Sequence, residues 1–112
     1  MKDNVIYLIT ALECVDLIHE YIQGYCLEDF LIDRKTQDAV IRNLEIIGQT
    51  LKDYGLDELT KKDTNIPWHN VAGMRNVLAH EYLGVDHVLI WETVEKQLGA
   101  LRCALENIVN KD

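Results

Sequence analysis

A chain of 112 residues with 48 % apolar and 27 % charged side chains has the composition of one globular domain, residues 1–112, near the size where self-association often adds stability. A net charge of -8 excludes a protein that coats nucleic acid non-specifically, because such affinity comes from Lys and Arg neutralising phosphates. No run of about eighteen uncharged apolar residues and no signal-like opening is present, so a cytoplasmic location without membrane contact is expected.

Val5, Leu8, Ile9, Leu12, Val15, Ile18 and Ile22 recur at helical spacing and predict a first helix over about 3–23, closed by Gly24. "CLEDFLID" reads as a short helical turn or connector, and Asp33 is a plausible N-cap for the next helix. This second helix is expected over about 34–54, with Val40, Leu44, Ile47 and Leu51 as its apolar stripe and Gly55 at its end. Residues 55–65, "GLDELTKKDTN", are poor in apolar side chains and read as a loop that can include a turn of helix. Pro67 suits the first turn of a third helix running to about Leu83 before Gly84. Asp86 is expected to cap a fourth, whose Val88, Trp91, Val94, Leu98, Leu101, Leu105 and Ile108 form a long seam. No segment alternates with period two, so the fold class is all-α, a bundle of four main helices.

Charge is unevenly spread along these elements. Residues 1–32 carry one basic and six acidic side chains, whereas 33–62 carry six of each, so an anion-facing surface must lie away from the first helix. Arg34 and Arg42, eight apart with Asp38 between, share a face of the second helix; they form either a solvated charge ladder or a surface that steers an anionic partner. Cys14, Cys26 and Cys103 show no pairing or C-x-x-C spacing, and His19, His69 and His87 show no ligand spacing, so no disulfide framework, metal site or cofactor is expected. Trp68 and Trp91 read as packing anchors rather than base-stacking platforms. Gly48 and Gly99 interrupt helical patterns, which implies local loosening or close approach of another helix.

The stretch "GMRNVLAHEY", residues 73–82, does not fit ordinary helix packing. Residues five apart on a helix differ by about 140° in azimuth and roughly 7.5 Å in rise, so Arg75 and His80 are not surface neighbours as an i, i+4 pair would be. They can meet by convergence of long side chains, by a change near the helix end, or across an interface with a second copy. Taken singly, His80 could simply favour the helix dipole, Arg75 could be a solvated charge and Tyr82 a core-edge aromatic. Gly73, just before Arg75, would let another backbone come close.

"QDAVIRNLEIIG" (37–48), "IPWHNVAGMRNVLAHEYLGVD" (66–86) and "WETVEKQL" (91–98), in this order and spacing, resemble the HepT-like family of HEPN domains, the toxin half of MNT/HEPN toxin-antitoxin pairs. Arg75, four intervening residues, His80, any residue and Tyr82 stand inside that frame. The resemblance implies a HEPN-type up-and-down bundle acting as a homodimeric, metal-independent endoribonuclease, with Arg75 and His80 of both copies lining one cleft. It implies Asn76 as a polar helper beside Arg75, and Arg42, inside the matched segment, as a candidate RNA-binding residue. It further implies Tyr82 as the AMPylation site where a partner MNT-type nucleotidyltransferase antitoxin silences the toxin. Gln49, His69 and Gly99 depart from the family's commoner Glu, basic residue and Pro.

The chemistry fits those residue types. Cleaving RNA, whether tRNA or mRNA, without a metal needs a base for the 2′-OH, an acid for the departing 5′-oxygen and positive charge for the phosphorane between them. Histidine titrates near neutrality, and the guanidinium of arginine can bond two phosphate oxygens at once. One chain supplies one motif histidine, and a two-fold dimer supplies two. The rival readings are a non-catalytic helical module that docks or assists a nucleotidyltransferase, and a helical homodimer without catalytic function.

Overall fold

The computed structural model describes residues 4–80 and 84–111, and at positions 77, 79 and 80 the backbone alone. Its described residues form six helices and no strand: α1 (Val5–Tyr21), α2 (Leu27–Leu31), α3 (Arg34–Tyr54), α4 (Leu56–Lys62), α5 (Trp68–His80) and α6 (His87–Lys111). The chain is all-α, as expected.

The helix ends follow from local chemistry. Asp33 caps α3 by accepting the Thr36 backbone N–H on Oδ1 at 3.0 Å and the Thr36 hydroxyl on Oδ2 at 2.7 Å. Tyr25 donates its hydroxyl to the same carboxylate, which joins the loop after α1 to the start of α3. Gly55 ends α3 with φ at 120°, a conformation that a side chain would strain, and Gly24 sits at φ 80° after α1. Asp86 accepts the Leu89 N–H at 3.1 Å and so opens α6. Pro67 stands one place earlier than expected, just outside the helix, with its carbonyl accepting the Val71 N–H at 3.0 Å. Its missing N–H costs nothing there.

Other expectations change. Residues 56–62 form nearly two turns of helix rather than a loop, because Leu59 is fully buried and anchors them, with Asp57 and Glu58 in the first turn and Lys61 and Lys62 in the last. The expected stripe of α1 is also rotated. Leu8, Ala11, Cys14, Val15 and Ile18 are buried, while Ile9 is 37 % exposed. The expected end of the third helix near Leu83 lies outside the described residues.

α3 is the central element, packed against α1 on one side and α5 on the other, while α6 closes against α1. Val40, Leu44, Ile47 and Leu51 of α3 are fully buried and meet Leu8, Val15 and Ile18 of α1 in one core with Leu98, Leu101 and Leu105 of α6. Trp91 packs at 5.4 Å from Phe30 of α2, and Trp68 is buried with its indole N–H donating to the Asp63 carbonyl at 2.8 Å. Both tryptophans are packing anchors. Val88, expected in the α6 seam, is instead 41 % exposed, and Ile90 is buried beside Trp91.

Buried polar side chains on α3 are satisfied. Gln37 Nε2 donates to the carbonyls of Phe30 and Leu31, at 2.9 and 3.1 Å, and so closes the open C-terminal end of α2. Asn43 and Thr50 bond back to the carbonyls of Ala39 and Ile47. Cys14 is buried and Cys26 and Cys103 are exposed, all three as free thiols. No helix among the described residues is long and apolar enough to cross a membrane.

Candidate functional site

The site begins with the crossing of α3 and α5. Gly48 lies at this crossing, and a Cβ placed on it would stand 3.0 Å from both the Ala72 carbonyl oxygen and the Arg75 Cβ. Of the alternatives open at position 48, the structure selects close helix approach. Gly99 and Gly73 differ, since a Cβ on either would meet nothing within 4 Å among the described residues. Among the described residues, then, no second backbone approaches Gly73.

From this crossing Arg75 reaches a groove of about 320 Å³ bordered also by Arg42, Glu45, Ile46, Gln49 and Thr50. Residues 42, 45, 46 and 49 recur at i, i+3, i+4 and i+7, so α3 presents them on one face. The Arg75 side chain is half-buried, and its Nη1 donates to Oδ1 of Asn76 at 3.1 Å. Two of the predicted site residues, Arg75 and Asn76, are thus in direct contact, and a third, Arg42, shares the groove with Arg75.

Arg42 is 72 % exposed and pairs with Glu45 at 3.7 Å, a separation and exposure that make the pair weak. An arriving phosphate can draw the Arg42 guanidinium away at little cost. Gln49 is held by a bond from its Nε2 to Asp53 Oδ1 at 2.8 Å. Arg34, the other arginine of this helix, pairs with Asp38 at 3.4 Å on an exposed surface and takes no part in the groove. Arg34 forms the solvated i, i+4 pair with Asp38, while Arg42 turns to Glu45.

Position 80 is the last described position of α5, but the side chain of His80 and the whole of Tyr82 lie outside the described residues, so their expected roles stand as expectations. His69, at the start of the same helix, is 65 % exposed and 4.0 Å from Asp57. No three His, Cys, Asp or Glu side chains among the described residues cluster as a metal site would require. Sequence reasoning missed Glu45 and Thr50 as groove residues. The signal was available in the spacing from Arg42 to Gln49, once α5 was known to cross there.

A family profile described as "Ribonuclease HepT-like" matches residues 11–108. The chain belongs to the HepT-like ribonuclease family.

Its curated relatives agree with the HepT-like assignment. It is 42 % identical over 102 residues to "Probable ribonuclease HepT" of Thermococcus cleftensis, covering 91 % of this chain and 92 % of the relative. It is 37 % identical over 112 residues to "Putative RNase TTE0752" of Caldanaerobacter subterraneus subsp. tengcongensis, covering 100 % and 99 %. A third relative, "Gamma-glutamylcyclotransferase and putative RNase MJ0434" of Methanocaldococcus jannaschii, is 43 % identical over 101 residues, which are 90 % of this chain and 45 % of that protein. No solved structure matches. Membership of the HepT-like family supports ribonuclease function with RNA as substrate.

Proposed function

We propose that the chain is a single HEPN-type domain, residues 1–112, acting as a homodimeric, metal-independent endoribonuclease toxin. The observation that carries this reading is the convergence of Arg42 and Arg75, the latter bonded to Asn76, on one groove between α3 and α5, in a chain of HepT-like membership.

Arg75 binds the scissile phosphate, since its fork can bond two phosphoryl oxygens and oppose the charge that grows as the phosphorane forms. Its contact with Asn76 restricts the guanidinium. Arg42 engages a neighbouring phosphate of the same strand, which matters in a protein of net charge -8. The two copies of His80 supply the proton transfers. One imidazole takes the proton of the 2′-OH as the 2′-oxygen attacks phosphorus; the other, protonated, gives its proton to the 5′-oxygen as the P–O5′ bond breaks. The products are a 2′,3′-cyclic phosphate and a 5′-hydroxyl, with no external electron donor or acceptor.

Tyr82, two residues beyond His80, is the position at which a nucleotidyltransferase antitoxin attaches AMP. A nucleotide there adds bulk and negative charge beside a cleft that must admit RNA phosphate. Tyr82→Phe should keep cleavage and escape modification, read by intact mass after incubation with the antitoxin and ATP.

The deciding experiment combines single-stranded RNA with the purified chain in EDTA. Cleavage to 2′,3′-cyclic phosphate ends, lost in both Arg75→Ala and His80→Ala, is expected. Loss of cleavage on chelation, or wild-type rates in His80→Ala, would overturn the mechanism. Retained cleavage by a chain that sediments only as a monomer would overturn the dimeric site.

A further inference from the structure

A glycine inside a helix is less favourable than alanine, so position 48 needs a compensating reason. The structure supplies it at one place. The Ala72 carbonyl oxygen and the Arg75 Cβ both stand 3.0 Å from where a Gly48 Cβ would be, with the Ala72 Cα at 3.6 Å. The oxygen belongs to the backbone of α5 and cannot swing aside as a side-chain tip can. Any side chain at 48 therefore pushes α5 away from α3, and the nearest side-chain atom displaced is the stem of Arg75.

The consequence reaches the groove. Arg75 hangs from α5, whereas Arg42, Glu45, Gln49 and Thr50 belong to α3, so the spacing of the two helices sets where the Arg75 guanidinium stands relative to the other wall. A shift of a few tenths of an ångström at Cβ grows along a long side chain. Transition-state contacts are sensitive to errors of this size.

We propose that Gly48 is a positioning residue for Arg75: its missing side chain holds α5 at the distance from α3 that aims the guanidinium into the groove. This rests on the reading of Arg75 as the phosphate-binding residue. Gly48 itself touches no substrate.

The test compares Gly48→Ala with Gly99→Ala in the full chain. Gly99 is an exposed helix-interior glycine whose Cβ would meet nothing within 4 Å among the described residues, so it controls for helix propensity. In Gly48→Ala the kcat on single-stranded RNA is expected to fall about tenfold with KM changed less than about twofold, the pattern of an interaction made in the transition state. The Arg75 Nε–H resonance in a nitrogen-15 spectrum should move while that of Arg34 stays in place. Gly99→Ala should change neither. Wild-type kcat with an unmoved Arg75 resonance overturns the proposal, as does a rise in KM at unchanged kcat.

If the wild-type chain cleaves no RNA, the ribonuclease reading fails while the resonance alone still decides whether Gly48 places Arg75. Should Gly48→Ala not fold, the same substitution is made in the Gly99→Ala background. If that double variant also fails to fold, the glycine serves the whole fold and the proposal is overturned.

Discussion

Arg75 turns Nη1 onto Oδ1 of its own chain neighbour Asn76, 3.1 Å away, and so holds the guanidinium at the mouth of the α3–α5 groove. A lysine at 75 would keep the charge but lose the planar fork and this anchored geometry. Arg75→Lys is expected to lower kcat by about a hundredfold or more, the scale for removing one donor to a developing oxyanion. A thermal melt should place the variant close to the wild type, since Arg75 is not part of the apolar core.

Arg42 makes a different prediction because it is exposed and only loosely paired with Glu45. As a contact to a flanking phosphate it contributes to affinity through counterion release. Arg42→Ala should weaken single-stranded RNA binding and reduce the slope of log K against log salt by about 0.7, the value for one phosphate contact on a single strand. Binding is measured by fluorescence anisotropy in a His80→Ala chain, so that the RNA stays intact. An unchanged slope would remove Arg42 from the interface.

Leu44 is fully buried at the centre of α3, in the core shared with α1 and α6. Leu44→Ala leaves a cavity that packed helices refill only in part. Urea unfolding should show a loss of about 2–5 kcal/mol.

Gly99 offers the opposite sign. It is exposed in the middle of α6, with open space around its α-carbon among the described residues. Gly99→Ala should raise stability by about 1 kcal/mol through helix propensity, seen as a higher Tm at unchanged RNA cleavage.

Asp33 carries a pH dependence. The Tyr25 hydroxyl, followed by the Thr36 hydroxyl and backbone N–H, holds its carboxyl down to about 2. An unfolded aspartate titrates near about 4, so the folded state favours the ionised form. The stabilisation is fully present above that value and is lost as pH falls toward 2. Asp33→Asn should therefore have a lower Tm than the wild type at pH 7, and the gap should narrow between about pH 4 and about pH 2. A gap constant with pH would show that the carboxylate charge contributes nothing.

Much of this molecule was legible before its fold was known. Asp33, Gly55 and Asp86 mark helix ends because caps and positive φ are local: a side chain bonds a backbone group three residues away, or a missing Cβ permits a turn. The family frame around Arg75 and His80 was equally a matter of order and spacing along the chain. Other features depended on what lay opposite. α1 is apolar on more than one side, so nothing in its own sequence chose Ala11 and Cys14 over Ile9 for the core; α3 and α6 made that choice by where they pack. Leu59 nucleated a helix in a polar stretch only because a pocket in the core received it. Gly48 offered two readings until the carbonyl of Ala72 was found against it. Helix ends answer to neighbours in the chain, whereas burial and the spacing between α3 and α5 answer to neighbours in space, and these decide where Arg75 meets Arg42.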